Sequence, residues 1–308
     1  MKKTFVIESL DGKTDLNGVI WQEPKQKHPK AILQIVHGMA EYIERYEPLA
    51  SYLSEHDFLV IGHDHLGHGE SVDMDNPLHG FFCEGDSASI VVEDTFQITQ
   101  YVKSRYPDTP LFILGHSMGS FVVRNFLKKY SNLVDGAILM GTSHRRNDIK
   151  MAVKMATGLN TVSPKTKNPA LDKLIFGTYN KKFKPVNSPF SWLSKHEENV
   201  EAYEQDEKCG FVFTNNGFYT LLTLIDQATK KNWYTTIQRD LPLLIISGEK
   251  DPVGNYGKGP RKLALELSEN YFKDVTLRLY SDLRHEILNE KESFDVTCDI
   301  YDWICHRI

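Results

Sequence analysis

A serine near the middle of the chain stands where a nucleophile would need to be. Ser117 lies between two glycines in the pentapeptide Gly115-His116-Ser117-Met118-Gly119. The apolar run before it is typical of a buried strand, and the residues after it are apolar at helical spacing. Glycines permit a tight turn, and a helix N-terminus offers unpaired N–H groups to a developing oxyanion. The pentapeptide alone occurs in many unrelated chains, so the flanking strand and helix are what favour a nucleophilic serine.

Such a serine needs a base to take its proton and an acid to orient that base. Asp251 and His285 each follow a predicted strand, so both can reach the edge of the sheet where Ser117 lies. After Asp251 the only other histidine is His306. We therefore predict Ser117 as the nucleophile, Asp251 as the acid and His285 as the base, in the chain order serine, acid, histidine.

The acid has competitors close by in the sequence. Glu249 lies two residues before Asp251, and Asp240 and Asp282 are also near predicted strands. Asp251 is followed by Pro252, which favours a turn, and it stands further from the strand end. Asp251 ranks first among these carboxylates, and Glu249 second.

An oxyanion hole needs two N–H donors aimed at one oxygen. The residue after the nucleophile, Met118, is expected to supply one. The other is expected from the loop after the run 32–36, where Gly38 permits close backbone approach and Met39 follows. We predict the N–H groups of Met39 and Met118 as the two donors.

A histidine-rich loop, residues 62–71, permits a second interpretation. His63, Asp64, His65 and His68 are types of residue that bind divalent metals. The glycines between them, and the strand directly before Asp64, suit a tight hydrogen-bonded loop equally well. No second cluster suggests a two-metal centre, so the loop is the preferred interpretation over metal catalysis.

Composition narrows the class without naming a reaction. The 308 residues fit one large α/β domain with an insertion, and a net charge of −5 gives no reason to expect nucleic-acid binding. The four cysteines lack metal-ligand spacing, and Cys298 and Cys305 are expected to pack on a terminal helix. The N-terminal residues have no apolar signal-peptide core, and no stretch is long enough to span a bilayer, so we predict a cytoplasmic protein. The oligomeric state stays open.

Short apolar runs alternate with amphipathic stretches along most of the chain. This pattern predicts an α/β fold whose mostly parallel central sheet is flanked by helices, with the active site beyond the carboxyl ends of the strands. The alternation breaks after Met140, and we predict a mainly helical cap there, inserted into the sheet domain. The predicted core is residues 1–143 and 241–308, and the predicted cap is residues 144–240. The expected strands are 5–8 and 18–22, which form an antiparallel pair, then 31–36, 58–61, 111–114, 137–140, 243–246 and 276–280.

Five motifs in order resemble the α/β-hydrolase superfamily, and within it the monoglyceride lipase and lysophospholipase-like branch. They are His37-Gly38-Met39-Ala40-Glu41 with Arg45-Tyr46, residues 64–71, residues 115–119, residues 248–254 and residues 284–290. The resemblance spans about residues 15–305. It implies Ser117 as nucleophile, Asp251 as acid, His285 as base, Met39 and Met118 at the oxyanion hole, and no cofactor or metal. The cap matches least, so the resemblance leaves the substrate open.

The expected activity is hydrolysis of carboxylic esters of lipid-like substrates, of the monoacylglycerol or lysophospholipid type. Thioester hydrolysis, amide hydrolysis and acyl transfer use the same triad, and a non-catalytic binding protein could share the fold. Residues 145–184 hold ten Lys or Arg against two acids, so the cap could contact an anionic lipid surface, although solvated lysines are the preferred interpretation. Cap aromatics could line an acyl pocket or form cap core: Phe176, Tyr179, Phe183, Phe190, Trp192, Phe211, Phe213, Phe218 and Tyr219.

Overall fold

The computed structural model describes residues 1–24, 28–73 and 77–308. Its strands form one eight-stranded sheet in the order β1-β2-β4-β3-β5-β6-β7-β8. The β1–β2 and β2–β4 pairs are antiparallel and every other pair is parallel. The strands are β1 (Lys2–Glu8), β2 (Asp15–Trp21), β3 (Ala31–Val36), β4 (Phe58–His63), β5 (Leu111–His116), β6 (Gly136–Met140), β7 (Leu243–Gly248) and β8 (Val275–Tyr280). The predicted fold class is confirmed.

Nine α-helices lie within the described residues. They are α1 (Glu47–Glu55), α2 (Ser87–Lys103), α3 (Met118–Tyr130), α4 (Ile149–Val162), α5 (Pro169–Phe176), α6 (Glu197–Gln205), α7 (Asn215–Thr229), α8 (Lys258–Glu269) and α9 (Ser293–Cys305). Short 3-10 turns lie at Ile43–Tyr46, Ser131–Leu133, Tyr179–Lys182 and Ile287–Asn289.

Strands β3 to β7 are buried on both faces because helices cover each side of the sheet. Along β3, Ile32 and Val36 point into one core layer, whereas Leu33 and Ile35 point into the other. Helices α2, α3, α7 and α8 cover the first layer, and α1 and α9 cover the second. This two-sided burial explains why the strands read as continuous apolar runs rather than as alternating ones.

The segment between β6 and β7 contains α4 to α7. Helix α4 packs on α7 through a small cluster that includes Ile149, Ala156 and Leu222. The other face of α7, with Phe218 and Leu224, belongs to the same core layer as α2 and α3. The second half of the segment therefore contributes directly to the core beneath the sheet. The division of the chain into a core and a cap at residues 144 and 240 stays a prediction.

Within the described residues, no helix is both long and apolar enough to cross a membrane. All four cysteines are free thiols, with Cys83 and Cys209 buried. Cys305 packs against the α1–α9 core layer, and Cys298 Sγ lies 3.8 Å from Tyr52 Oη. Both are only partly buried.

Candidate active site

Ser117 occupies a strained turn between β5 and α3. Its backbone has φ +51° and ψ −116°, a conformation that residues with a side chain rarely adopt. A Cβ at Gly119 would lie 2.0 Å from the Val36 carbonyl oxygen, and one at Gly115 would clash with Gly119. The two glycines are therefore required by close backbone approach, in addition to the tight turn that the sequence predicted.

The side chains of Asp251 and His285 form a hydrogen bond with each other. His285 Nδ1 lies 2.9 Å from Asp251 Oδ2, and both side chains are buried. A carboxylate only accepts hydrogen bonds, so Nδ1 carries the proton and Nε2 is left as a base. Asp251 Oδ1 accepts the Val253 N–H at 2.8 Å, which fixes the carboxylate. In the described residues Ser117 Oγ forms no hydrogen bond with His285, but both side chains line one cavity.

The other three candidate acids bind a different partner or are exposed. The Glu249 carboxylate binds Arg261 on α8. Asp240 and Asp282 are exposed. Of the four carboxylates considered, only Asp251 forms a hydrogen bond with His285.

The two residues that carry the predicted oxyanion donors both lie close to Ser117. Met118 is the first residue of α3, where a backbone N–H has no partner within the helix. Met39 lies on the loop after β3, and a Cβ at Gly38 would lie 3.2 Å from Ser117 Cβ. Both methionines line the cavity. Within the described residues, neither backbone N–H donates a hydrogen bond.

One buried carboxylate holds the loop that carries Met39. Glu41 Oε1 accepts hydrogen bonds from the Gly38 N–H at 2.6 Å, from Tyr46 Oη at 2.9 Å and from His116 Nδ1 at 2.9 Å. Its Oε2 accepts from Arg45 at 2.9 Å. Burial opposes the ionised form, but His116 and Arg45 outweigh it and hold the pKa of Glu41 far below its usual value.

The hydrogen-bond network around Glu41 extends to the loop that carries His285. Arg45 binds the Glu286 carboxylate through two hydrogen bonds of 2.7 and 2.8 Å. His116 Nε2 lies 3.4 Å from the His285 carbonyl oxygen. Both ring nitrogens of His116 thus face acceptors; burial lowers its pKa, but the charge and hydrogen bond of Glu41 raise it more. A charged network therefore joins the oxyanion loop, the turn of Ser117 and the His285 loop.

Sequence reasoning gave these residues no role. Glu41, Arg45 and Glu286 appeared only within motifs, and His116 only as the variable residue of the pentapeptide. The sequence did contain one indication of their role: charged residues within these motifs lie close to the predicted oxyanion residue Met39 and to the predicted base His285. Their pairing depends on which loops meet in three dimensions.

Hydrogen bonds join the histidine-rich loop to residues on both sides of Met39 in the sequence. Asp64 accepts the N–H groups of Ile43 at 2.8 Å and Glu70 at 2.9 Å. The His65 N–H donates to His37 Nε2 at 2.9 Å, and His37 Nδ1 lies 2.8 Å from the Gly38 carbonyl oxygen. Burial lowers the pKa of His37 to about 4, so this ring is neutral. In the described parts of the chain, no group of three or more His, Cys, Asp or Glu side chains is arranged to hold a metal ion. The hydrogen bonds match the loop interpretation.

A cavity of about 1140 Å³ opens at Ser117 and runs beneath α4, α5 and α7. The Trp192 ring lies 5.0 Å from the His285 ring and is stacked with Phe176 at 6.3 Å. Of the nine candidate cap aromatics, five line the cavity: Phe176, Tyr179, Phe190, Trp192 and Phe211. Phe213 and Phe218 are core residues, Phe183 lies under Arg284, and Tyr219 packs beside α4.

Comparison with known proteins identifies the family of this chain. Residues 27–292 match the family model described as serine aminopeptidase, S33. Monoglyceride lipase of Mus musculus is 27% identical over 283 residues, which cover 91% of this chain and 84% of the relative. Monoacylglycerol lipase of Mycolicibacterium smegmatis is 28% identical over 284 residues, or 91% and 90% of the two chains.

The crystal structure of a thermostable carboxyl esterase from Bacillus coagulans superposes with a TM-score of 0.93 at 24% identity, over 99% of this chain and 98% of that one. This likeness concerns the fold. The family match spans far more than half of the chain, so the protein belongs to the S33 serine aminopeptidase family and is a monoglyceride lipase-like α/β-hydrolase.

Proposed function

We propose that this protein is a serine hydrolase that cleaves carboxylic esters of lipid-like substrates through an acyl-enzyme on Ser117. The observation that carries the proposal is the His285–Asp251 hydrogen bond of 2.9 Å, at the wall of a cavity that Ser117 also lines. Asp251 holds the tautomer of His285 in which Nε2 can accept a proton.

The reaction proceeds in two half-reactions with His285 as proton carrier. The Ser117 hydroxyl gives its proton to His285 Nε2 while Oγ bonds to the acyl carbon. The ester C–O bond then breaks, and the leaving alcohol oxygen takes that proton from Nε2. Water repeats the sequence: its proton goes to Nε2, its oxygen bonds to the acyl carbon, and Ser117 Oγ leaves with the proton. The products are an alcohol and a carboxylic acid.

The oxyanion of each tetrahedral intermediate is proposed to lie between the Met39 and Met118 N–H groups. A donor of this kind is worth about 3 kcal/mol to the transition state. The Glu41 hydrogen bond to Gly38 keeps the Met39 loop in position, so the donors need no reorganisation during the reaction.

A lipid-like substrate matches the cavity. Its wall is mostly apolar where α4, α5 and α7 meet, with Ile149, Leu171 and Leu222 among the lining residues. An acyl chain gains about 0.8 kcal/mol per buried methylene in such surroundings. The relatives named monoglyceride lipase and monoacylglycerol lipase support this substrate class.

Peptide hydrolysis, which the family's name suggests, fits less well. An aminopeptidase needs an unpaired acid to bind the amino group of its substrate. Glu41 and Glu286 on the cavity wall both bind Arg45, and Asp148 binds Arg146. The remaining carboxylate on the described wall, Asp172 on α5, forms no ion pair, so ester hydrolysis is favoured over amide hydrolysis by the lipase names of the relatives. Thioester hydrolysis and acyl transfer remain the alternatives within the same chemistry.

Transient contact with an anionic lipid surface is part of the proposal. Met151, Val162 and Leu174 on α4 and α5 are 73%, 85% and 66% exposed, and lysines lie between them in the sequence. Exposed apolar side chains beside lysines suit the boundary of an anionic bilayer. The cytoplasmic location stays a prediction.

A substrate panel tests the proposal. Purified protein is offered p-nitrophenyl esters, 1-monoacylglycerols, lysophospholipids, acyl thioesters and aminoacyl amides, with Ser117→Ala as the control. Ester hydrolysis that disappears in Ser117→Ala is the expected result. Hydrolysis of the amides alone would reject the proposal in favour of a peptidase.

A further inference from the structure

The cavity wall carries surplus positive charge once its ion pairs are set aside. Glu41 and Glu286 both bind Arg45, and Asp148 binds Arg146. The other charged Asp, Glu, Lys and Arg side chains on the wall form no ion pair within the described residues: they are one acid, Asp172, and four cations, Arg145, Lys173, Lys258 and Lys262. Lys173, Lys258 and Lys262 are exposed and Arg145 is half-buried. A neutral ester has no anionic group for these four cations to bind.

Three of the cations lie on neighbouring segments beside Asp251. Arg145 follows His144 on the loop after β6, and a Cβ at Gly259 in the first turn of α8 would lie 3.2 Å from the His144 nitrogen. Lys258 and Lys262 are one turn apart on α8, so they share a face of that helix. The segment 251–255 leads from Asp251 directly towards α8, and Pro252, Val253 and Asn255 line the same cavity.

Another part of the wall is mainly apolar. Beneath α4, α5 and α7 it is lined by apolar side chains that include Phe121, Ile149, Leu171, Leu222 and Ile225. Ser117 and His285 line the same cavity. One cavity thus offers an apolar region for an acyl chain and a cationic region for another part of the substrate.

We propose that Arg145, Lys258 and Lys262 form an anion subsite for the alcohol part of the substrate, and that the preferred substrates are acyl esters whose alcohol carries a phosphate. This rests on the proposed ester hydrolysis at Ser117. A phosphate carries one to two negative charges near neutral pH, and ammonium and guanidinium groups are its usual protein partners. The acyl chain occupies the apolar region, so the phosphate of the same molecule is directed towards the cations.

Two substrates that differ only in charge isolate this effect. One is 1-hexanoylglycerol, and the other is 1-hexanoylglycerol 3-phosphate, both used below the concentrations at which they aggregate. The wild-type protein is expected to hydrolyse the phosphate ester with the lower KM, and added salt is expected to reduce that advantage because exposed charges are screened. An equal or higher KM for the phosphate ester would overturn the proposal.

Two double variants each remove two lysines that lie one turn apart on a helix. Lys258→Ala/Lys262→Ala removes two lysines one turn apart on α8, and Lys150→Ala/Lys154→Ala removes two lysines one turn apart on α4 that do not line the cavity. The α8 variant is expected to raise the KM for the phosphate ester about tenfold, the upper range for two exposed charge contacts, with the neutral ester unchanged. The α4 variant is expected to leave both KM values unchanged. Equal effects of the two variants, or an equal effect of the α8 variant on both esters, would contradict the subsite.

Further measurements distinguish the anion subsite from other roles of these cations. If the α8 lysines alter activity only on vesicles of phosphatidylglycerol and not on the dissolved hexanoyl esters, they bind a lipid surface and the subsite is rejected. If inorganic phosphate inhibits hydrolysis of the neutral ester but the phosphate ester has no KM advantage, the cations hold free phosphate and the substrate claim is rejected. Absence of hydrolysis of both esters, with no fluorophosphonate labelling of Ser117, would instead reject the proposed function itself.

Discussion

His285 Nδ1 lies 2.9 Å from Asp251 Oδ2, at the junction of two loops that follow neighbouring parallel strands. Glu249, only two residues earlier in the chain, binds Arg261 at the surface instead. The Glu249 N–H continues the β7–β8 pairing by donating to the Tyr280 carbonyl oxygen at 2.8 Å. The Asp251 N–H instead donates to the Gly248 carbonyl oxygen at 3.2 Å within a turn, and its side chain reaches His285.

This difference predicts unequal effects of two conservative changes. Asp251→Asn is expected to lower kcat by about 10,000-fold, because an amide no longer holds the His285 tautomer or stabilises its imidazolium. Glu249→Gln removes only a surface ion pair and is expected to change kcat less than twofold. Steady-state kinetics on a p-nitrophenyl ester compares them, and a larger loss in the Glu249 variant would reassign the acid.

Glu41 is expected to act as a positioning residue. Glu41→Gln removes the charge that holds Arg45 and His116 in place, so the Gly38 loop and its Met39 donor shift. We expect kcat to fall roughly ten- to a hundredfold with KM little changed, because only transition-state interactions are lost. The matched control is Asp94→Asn, a buried carboxylate bonded to Ser9 and Leu10 away from the cavity. Equal losses of kcat in the two variants would mean that Glu41 matters only for stability.

The buried histidines predict a loss of stability on acidification. Burial lowers the pKa of His63 to about 4, whereas an unfolded histidine has a pKa of about 6.5. The neutral ring therefore favours the folded state above pH 6.5, and this stability is lost as pH falls towards 4. The loss is about 2 kcal/mol at pH 5.

His63→Phe tests this, since neither His63 ring nitrogen has a hydrogen-bond partner in the described residues. The free energy of unfolding, measured with urea at pH 7 and pH 5, is expected to fall less for the variant than for the wild type. His63→Leu serves if the larger ring does not fit, and exposed His306→Gln is the control. Identical falls in wild type and both His63 variants would contradict the expected role of His63.

The cavity aromatics are expected to set acyl-length preference. Phe176 lines the cavity and stacks on Trp192, so Phe176→Ala enlarges the space near His285. The optimum acyl length on p-nitrophenyl esters is expected to shift by several carbons, while the acetate ester still turns over. Phe183→Ala is the control, because Phe183 is buried against Arg284 and does not line the cavity. Superimposable acyl-length profiles for the wild type and Phe176→Ala would move the determinants to the Met39 and Asp64 loops.

The sequence predicted those features that follow from local pattern and from the geometry of parallel strands. Ser117, Asp251 and His285 each follow a strand, so their meeting at one edge is a consequence of the fold class. Contacts between distant loops, such as Arg45 with Glu286, depend on loop paths that no local pattern specifies. Helix α7 shows the same limit: the sequence predicted a mainly helical insertion, but not that one face of α7 would complete the core beside α3.

The most direct test of the central claim is the mass of the intact protein after exposure to a fluorophosphonate. The wild type is expected to gain one phosphonyl group, mapped to Ser117 by peptide analysis. Ser117→Ala is expected to gain none and to lose roughly a million-fold in ester hydrolysis, with an unchanged thermal unfolding temperature. Labelling on another residue, or wild-type turnover by Ser117→Ala, would contradict a mechanism based on Ser117.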